Sequence, residues 1–141
     1  MDEIRRQFVR SWIMKAESDL KSARVLSGDP EGPLDAAIYH CQQRAEKSVK
    51  PFLVFKGITP EKTHDVRKLS IEASAFEKIF EKLITPAAAL TPYAWEFRYP
   101  DDLADVEPTR EEFDEALQQT REIYNFVLSI LPKEAQPISK N

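Results

Sequence analysis

His40, Gln43, Arg44 and Lys47 stand at i, i+3, i+4 and i+7, a spacing that puts all four on one face of an α-helix. Donors packed this closely can hold a phosphate or a nucleic-acid backbone, because Arg offers a planar fork and Lys a point charge. The same stripe also reads as a solvated flank whose Arg44 and Lys47 meet acids on neighbouring helices. A second set lies downstream in Phe97-Arg98-Tyr99-Pro100-Asp101. Pro100 steers Tyr99 out of helical geometry, so the segment should leave its helix and run extended. Arg98, held between aromatics, reads either as an anion ligand or as a tie to a buried carboxylate such as Glu46 or Asp19. A third set is Thr63-His64-Asp65, where Asp65 can cap the following helix and His64 can be held through a ring nitrogen. His64 and Asp65 are therefore taken as supporting residues.

Other chemistry finds little support. There is no phosphate-cradling glycine loop, no nucleophile elbow and no His-Glu-x-x-His. Ala37 stands three residues before His40, so the Glu-x-x-His spacing of di-iron bundles is missing there. Glu61 stands three before His64, but in a loop. No catalytic residue, metal site or cofactor is assigned.

The elements that must position these groups are helical. Only Gly28, Gly32 and Gly57 occur, and period-2 runs of β-branched residues are lacking, so hairpins have no support. Ile4, Phe8, Val9, Trp12, Ile13, Ala16, Leu20, Ala23 and Leu26 form a first amphipathic stripe, stopped by the Gly28–Pro33 run. Leu34, Ala37, Ile38, Cys41, Ala45, Val49, Phe52 and Leu53 form a second. Pro51 lies within it and should kink or loosen its end. Val66 and Leu69 open a third helix after His64-Asp65. Ser74-Ala75-Phe76-Glu77 reads as a capping box for a fourth, carrying Phe76, Ile79, Phe80 and Leu83. Thr85-Pro86 and Thr91-Pro92 each read as a cap with proline at the first helical position. Thr109 with Glu112 opens the last helix, whose stripe runs from Phe113 to Leu131, stopped by Pro132. The expected architecture is all-α, an antiparallel up-and-down bundle of four to five helices over residues 4–131, with 132–141 a frayed tail.

Composition sets the outer limits. A 141-residue chain, 42% hydrophobic with net charge -4, is long enough for its own core and too apolar for a disordered chain. Asp2, Glu3, Arg5, Arg6, Arg10, Lys15, Glu17 and Asp19 break any early apolar run, so no secretory segment is expected. Cys41 is the only cysteine, which excludes an internal disulfide and a cysteine-rich zinc site. The chain reads as cytoplasmic, with no membrane partner. Bases gather between His40 and Lys68 and acids between Asp101 and Glu122, an asymmetry that suits an anion-facing side or a complementary second protomer. It equally suits an ordinary charged helical surface.

Taken together these pieces resemble the HEPN family (higher eukaryotes and prokaryotes nucleotide-binding domain) in its compact prokaryotic single-domain form. The resemblance rests on Trp12 with Ala16-Glu17-Ser18-Asp19-Leu20, on Ala36 through Lys47 with its Gln-Gln-x-Ala-Glu-Lys block, and on Thr63-His64-Asp65-Val66. Arg98-Tyr99-Pro100-Asp101 and a closing amphipathic helix complete it. It spans about residues 8–131. It implies a bundle that is commonly a homodimer, associated with nucleotide binding, RNA cleavage and toxin-antitoxin pairs alongside a small nucleotidyltransferase. Carried over by position, its nucleotide- or anion-binding set is His40, Gln43, Arg44, Lys47, Arg98 and Tyr99.

The chain departs from that pattern twice. Ribonuclease members carry an Arg followed after four to six residues by His. Here Asp35, Leu34 and Pro33 occupy those positions before His40, and Thr59, Ile58 and Gly57 before His64. Pro51 also replaces a helix former. The expectation is a non-catalytic, homodimeric nucleotide- or RNA-phosphate-binding bundle acting with a partner such as a minimal nucleotidyltransferase. The alternatives are a pure interaction module and a metal-independent ribonuclease toxin.

Overall fold

The structure, a computed structural model, describes residues 1–98 and 107–137. Tyr99, Pro100 and the acidic residues Asp101, Asp102 and Asp105 lie outside the described residues.

Five α-helices, and no strand among the described residues, make an all-α bundle: α1 (Glu3–Gly28), α2 (Leu34–Phe55), α3 (Val66–Ser74), α4 (Ile84–Leu90) and α5 (Arg110–Ile130). α2 is the central element, packed against α1, α3, α4 and α5. Its pairing with α1 is antiparallel. Asp19 meets His40 and Lys47, Trp12 meets Lys50, and Arg5 meets Gly57, so numbers fall along α1 as they rise along α2. The turn between them needs a glycine at position 32, where a Cβ would stand 1.7 Å from the Leu26 carbonyl oxygen.

The core follows the apolar stripes. Val9, Ile13, Ala16 and Ala23 of α1 bury against Ile38, Cys41, Ala45, Val49 and Phe52 of α2, and Phe113, Ala116, Ile123 and Val127 close the bundle from α5. The α5 start is built as its sequence dictates. Thr109 Oγ1 accepts from the Glu112 amide at 3.0 Å, and Glu112 Oε1 accepts from the Thr109 amide at 3.1 Å.

Several local expectations are corrected. α2 runs through Pro51 to Phe55, with Pro51 buried, because packing on both sides holds the last turn. Ser74 opens no helix; its hydroxyl donates to the Ile71 carbonyl at the end of α3. Glu77 caps a 3-10 helix, Lys78–Leu83, instead. Pro86 lies in the third position of α4 rather than the first, still within the turn whose amides have no intrahelical partner. Ile4 and Phe8, read as core from their spacing, are 68% and 59% exposed. Residues 132–137 are not frayed. They form a 3-10 turn, Lys133–Ala135, with Ala135 fully buried and Gln136 Nε2 donating to the carbonyls of Leu128 and Leu131. No helix among the described residues is long and apolar enough to cross a membrane.

Candidate functional site

The polar residues of α2 are organised by two carboxylates that the apolar stripes carry inward. Asp19 replaces an apolar residue on the buried face of α1. Its Oδ1 lies 2.8 Å from His40 Nδ1, and its Oδ2 accepts from Lys47 Nζ at 2.8 Å. With Nδ1 donating to the carboxylate, the ring is fixed in orientation and Nε2 is its remaining functional nitrogen. His40 also lines a shallow recess of about 330 Å³ with Lys21, Ser22, Val25 and Leu26 of α1.

Arg98 lies in the same neighbourhood, but not as a tie to a buried carboxylate. It pairs with neither Asp19 nor Glu46, whose oxygens are already taken. Its guanidinium carbon instead lies 3.9 Å above the Tyr39 ring, and Tyr39 packs edge-on against His40 with centroids 5.6 Å apart. The chain turns toward this position at Phe97, whose φ of 68° is left-handed and rare for an aromatic residue. Stacking of Phe97 on Tyr93, at 6.2 Å and 18°, helps hold that conformation. Tyr99, the remaining member of the predicted set, lies outside the described residues.

Glu46 builds the second cluster. It is 3% exposed; Oε1 lies 2.7 Å from His64 Nδ1, and Oε2 accepts from Lys50 Nζ at 3.0 Å. The Lys50 ammonium also sits 5.1 Å from the Trp12 ring centroid. Gln42 Nε2 donates to the His64 carbonyl at 2.8 Å, and Gln43 Nε2 donates to Gln42 Oε1 at 2.7 Å. His64 is thus tied at its backbone and at one ring nitrogen while its side chain stays 64% exposed. Asp65 caps α3, accepting from the Lys68 amide at 3.0 Å.

Arg44 belongs to neither cluster. It is 4% exposed and stacks on Tyr124 of α5, with Cζ 4.4 Å from the ring centroid. Tyr124 in turn donates to Glu17 of α1 at 2.9 Å. Arg44 Nε and Nη1 are buried with no hydrogen-bond partner among the described residues, and burial pulls the guanidinium down to about 10. Burial, reinforced by the bond to Glu17, pushes the Tyr124 hydroxyl above its ordinary range.

One predicted stripe is therefore three environments. His40 and Lys47 meet at Asp19 with Arg98 close by. Gln43 joins the Glu46 cluster, and Arg44 is an interior contact between α2 and α5. Sequence reasoning named Asp19 and Glu46 only as possible partners of Arg98, not of His40, Lys47, Lys50 and His64, and left Tyr39 out. The available signal was a carboxylate standing on an apolar stripe, which at helical spacing demands a buried partner. Among the described residues no three His, Cys, Asp or Glu side chains are grouped to hold a metal ion.

The family model of the HEPN domain matches residues 9–131, which take in the whole of this helical frame from Val9 to Leu131. The chain belongs to the HEPN family. It resembles the crystal structure of TT1696 from Thermus thermophilus, with a TM-score of 0.76 and 28% identity over 87% of this chain and 98% of that one. It also resembles ST0689, described as an archaeal HEPN homologue, with a TM-score of 0.65 and 31% identity over 86% and 95%. A curated relative from Methanocaldococcus jannaschii, named "Putative toxin MJ1304", is 26% identical over 91% of each chain.

Proposed function

We propose that this HEPN chain binds a nucleotide or RNA phosphate at the seam of α1 and α2. In this reading it acts with a protein partner, such as a minimal nucleotidyltransferase, in a pair of the toxin-antitoxin type. The ligands are His40 and Lys47, with Arg98 and the adjoining Tyr99; Gln43 and Arg44 serve as buried supports. His64 and Asp65 set the far end of α2 against α3.

The observation that carries the reading is the orientation of His40. Asp19 accepts from His40 Nδ1 and from one Lys47 donor, which leaves the other Lys47 donors for an anion, with Nε2 donating to it as well when the ring is the imidazolium. Arg98 on the neighbouring Tyr39 ring adds a planar fork nearby. The toxin name of the M. jannaschii relative supports the paired context.

Calorimetric titration with ATP, GTP and a short RNA, at low and moderate salt, tests it. Saturable binding that weakens with salt and is lost in Arg98→Ala and Lys47→Ala, with helicity unchanged, is expected. Absence of heat with all three ligands overturns it. A second reading, RNA cleavage without metal, draws on the same oriented His40, because a fixed imidazole suits general acid-base work. Cleavage of structured RNA in the presence of chelator that disappears in His40→Ala would establish that reading instead.

A further inference from the structure

A groove of about 820 Å³ runs between the first half of α1 and the loop that follows α2. Its apolar lining comes from Ile4, Phe8 and Trp12 on α1 and from Val54, Ile58 and Pro60 across from them. Ile4, Phe8 and Trp12 recur every four residues, so they form one ridge along the helix. A continuous exposed apolar surface of this kind is a docking surface, since isolated folding gains nothing from leaving it in water.

Charge identifies the occupant. The groove is lined by Arg5, Lys15, Lys50 and Lys62 against Asp2 and Glu61, in a chain whose net charge is -4. Both acids are already used. Asp2 caps α1 by accepting from the Arg5 amide, and Glu61 pairs with Lys68. Arg5, Lys15 and Lys62 have no carboxylate within ion-pair distance among the described residues, and Arg5 lies against Gly57. An apolar floor with uncompensated cations along its rim fits a segment that is apolar on one side and acidic on its flanks.

A second copy of this chain fits poorly. A two-fold contact through this face would set the same cations opposite one another. The acidic residues of α5 offer no alternative, because among the described residues that helix exposes no large apolar side chain to fill the groove. Nucleic acid would satisfy the cations and could stack on Phe8 and Trp12, but it would leave the aliphatic side of the floor, Ile4, Val54, Ile58 and Pro60, against sugar and phosphate, where an apolar helix face covers both sides. We infer that this groove is where the chain receives an acidic amphipathic helix of its protein partner. The inference rests on the pairing half of the reading above and needs no part of the anion site.

The test uses the full chain carrying Trp95→Phe, so that Trp12 in the groove is the remaining indole emitter. The probes are a synthetic helical peptide with leucines along one face and glutamates beside them, the same peptide with lysines for the glutamates, and a short single-stranded RNA. The glutamate peptide should shift Trp12 emission saturably and bind about tenfold more tightly than the lysine peptide. Phe8→Asp should abolish the response with helicity unchanged, and Lys15→Glu with Lys62→Glu should reverse the peptide preference. Equal binding of both peptides, a response to RNA alone, or self-association lost in Phe8→Asp each overturns the inference. A co-expressed nucleotidyltransferase that co-purifies equally with wild type and Phe8→Asp keeps the pairing and removes this surface from it. A glutamate peptide that binds where no nucleotidyltransferase co-purifies keeps the surface and removes that partner.

Discussion

Glu46 and Asp19 are both buried and each join a histidine to a lysine, but the two lysines sit at different depths, and that decides what each loss should cost. Removing Glu46 strands the Lys50 ammonium, whose side chain is 6% exposed, without a counter-charge. Uncompensated burial of that kind costs about 3–5 kcal/mol. Removing Asp19 frees Lys47 and His40, which are 22% and 29% exposed and can be resolvated, so the loss should be about 1–2 kcal/mol. Urea unfolding of Glu46→Ala and Asp19→Ala should therefore rank Glu46 as the costlier loss; the reverse order would mean that the Glu46 cluster is open to water. Cys41 gives a second prediction at this scale. Burial pushes its thiol from 9.0 to about 12. The native protein should resist alkylation at mildly alkaline pH and react once unfolded. Between pH 9 and 12 the unfolded thiol ionises while the folded one stays protonated. The thiol's contribution to stability is thus intact below 9 and lost as pH climbs, which a series of denaturant midpoints would register.

At the scale of the element, what could be read in the sequence was whatever the element settles within itself. The Thr109–Glu112 box was legible because both partners lie within one turn, and Thr109→Ala should cost about 1 kcal/mol, read as a lower unfolding temperature with an unchanged helical spectrum. The similar-looking Ser74–Glu77 pair was misread because tertiary packing tightens the next segment into a 3-10 helix that starts at Lys78. The apolar stripes located α1, α2 and α5 well. They overstated the core at Ile4 and Phe8, since periodicity reports which face is apolar and not whether anything covers it. The candidate site was legible only in part for a related reason. Helical spacing correctly put His40, Arg44 and Lys47 near one another. It could not show that Asp19 of α1 would claim two of them and Tyr124 of α5 the third. Those partners are set by how helices pack, which no single stripe encodes.

At the scale of the whole molecule, the segment after α5 locks the far end of the chain onto its beginning. Arg10 donates to the Glu134 carbonyl, and Arg6 lies 3.8 Å from the Glu134 carboxylate. Ala135 is fully buried, and Gln136 returns two hydrogen bonds to the last turn of α5. Pro132 starts this turn without ending the fold, because the extended backbone there lets residues 133–137 fold back across α1. Ending the chain after Leu131 removes all of these ties together. Two half-buried hydrogen bonds and one small apolar burial suggest a loss of about 1–3 kcal/mol. The effect should also be uneven. α1 is held near Asp19 by His40 and Lys47, whereas around Arg6 and Arg10 the polar ties are those to the C-terminal turn, beside the buried Val9. Amides from Ile4 to Arg10 should therefore exchange faster in the truncated chain while those around Asp19 stay protected. Because Ile4 and Phe8 line the groove on that same stretch, binding of the acidic peptide should weaken alongside the loss of protection. Uniform acceleration along α1 would instead show that the C-terminal turn stabilises the bundle as a whole and does not selectively hold the ridge that a partner meets.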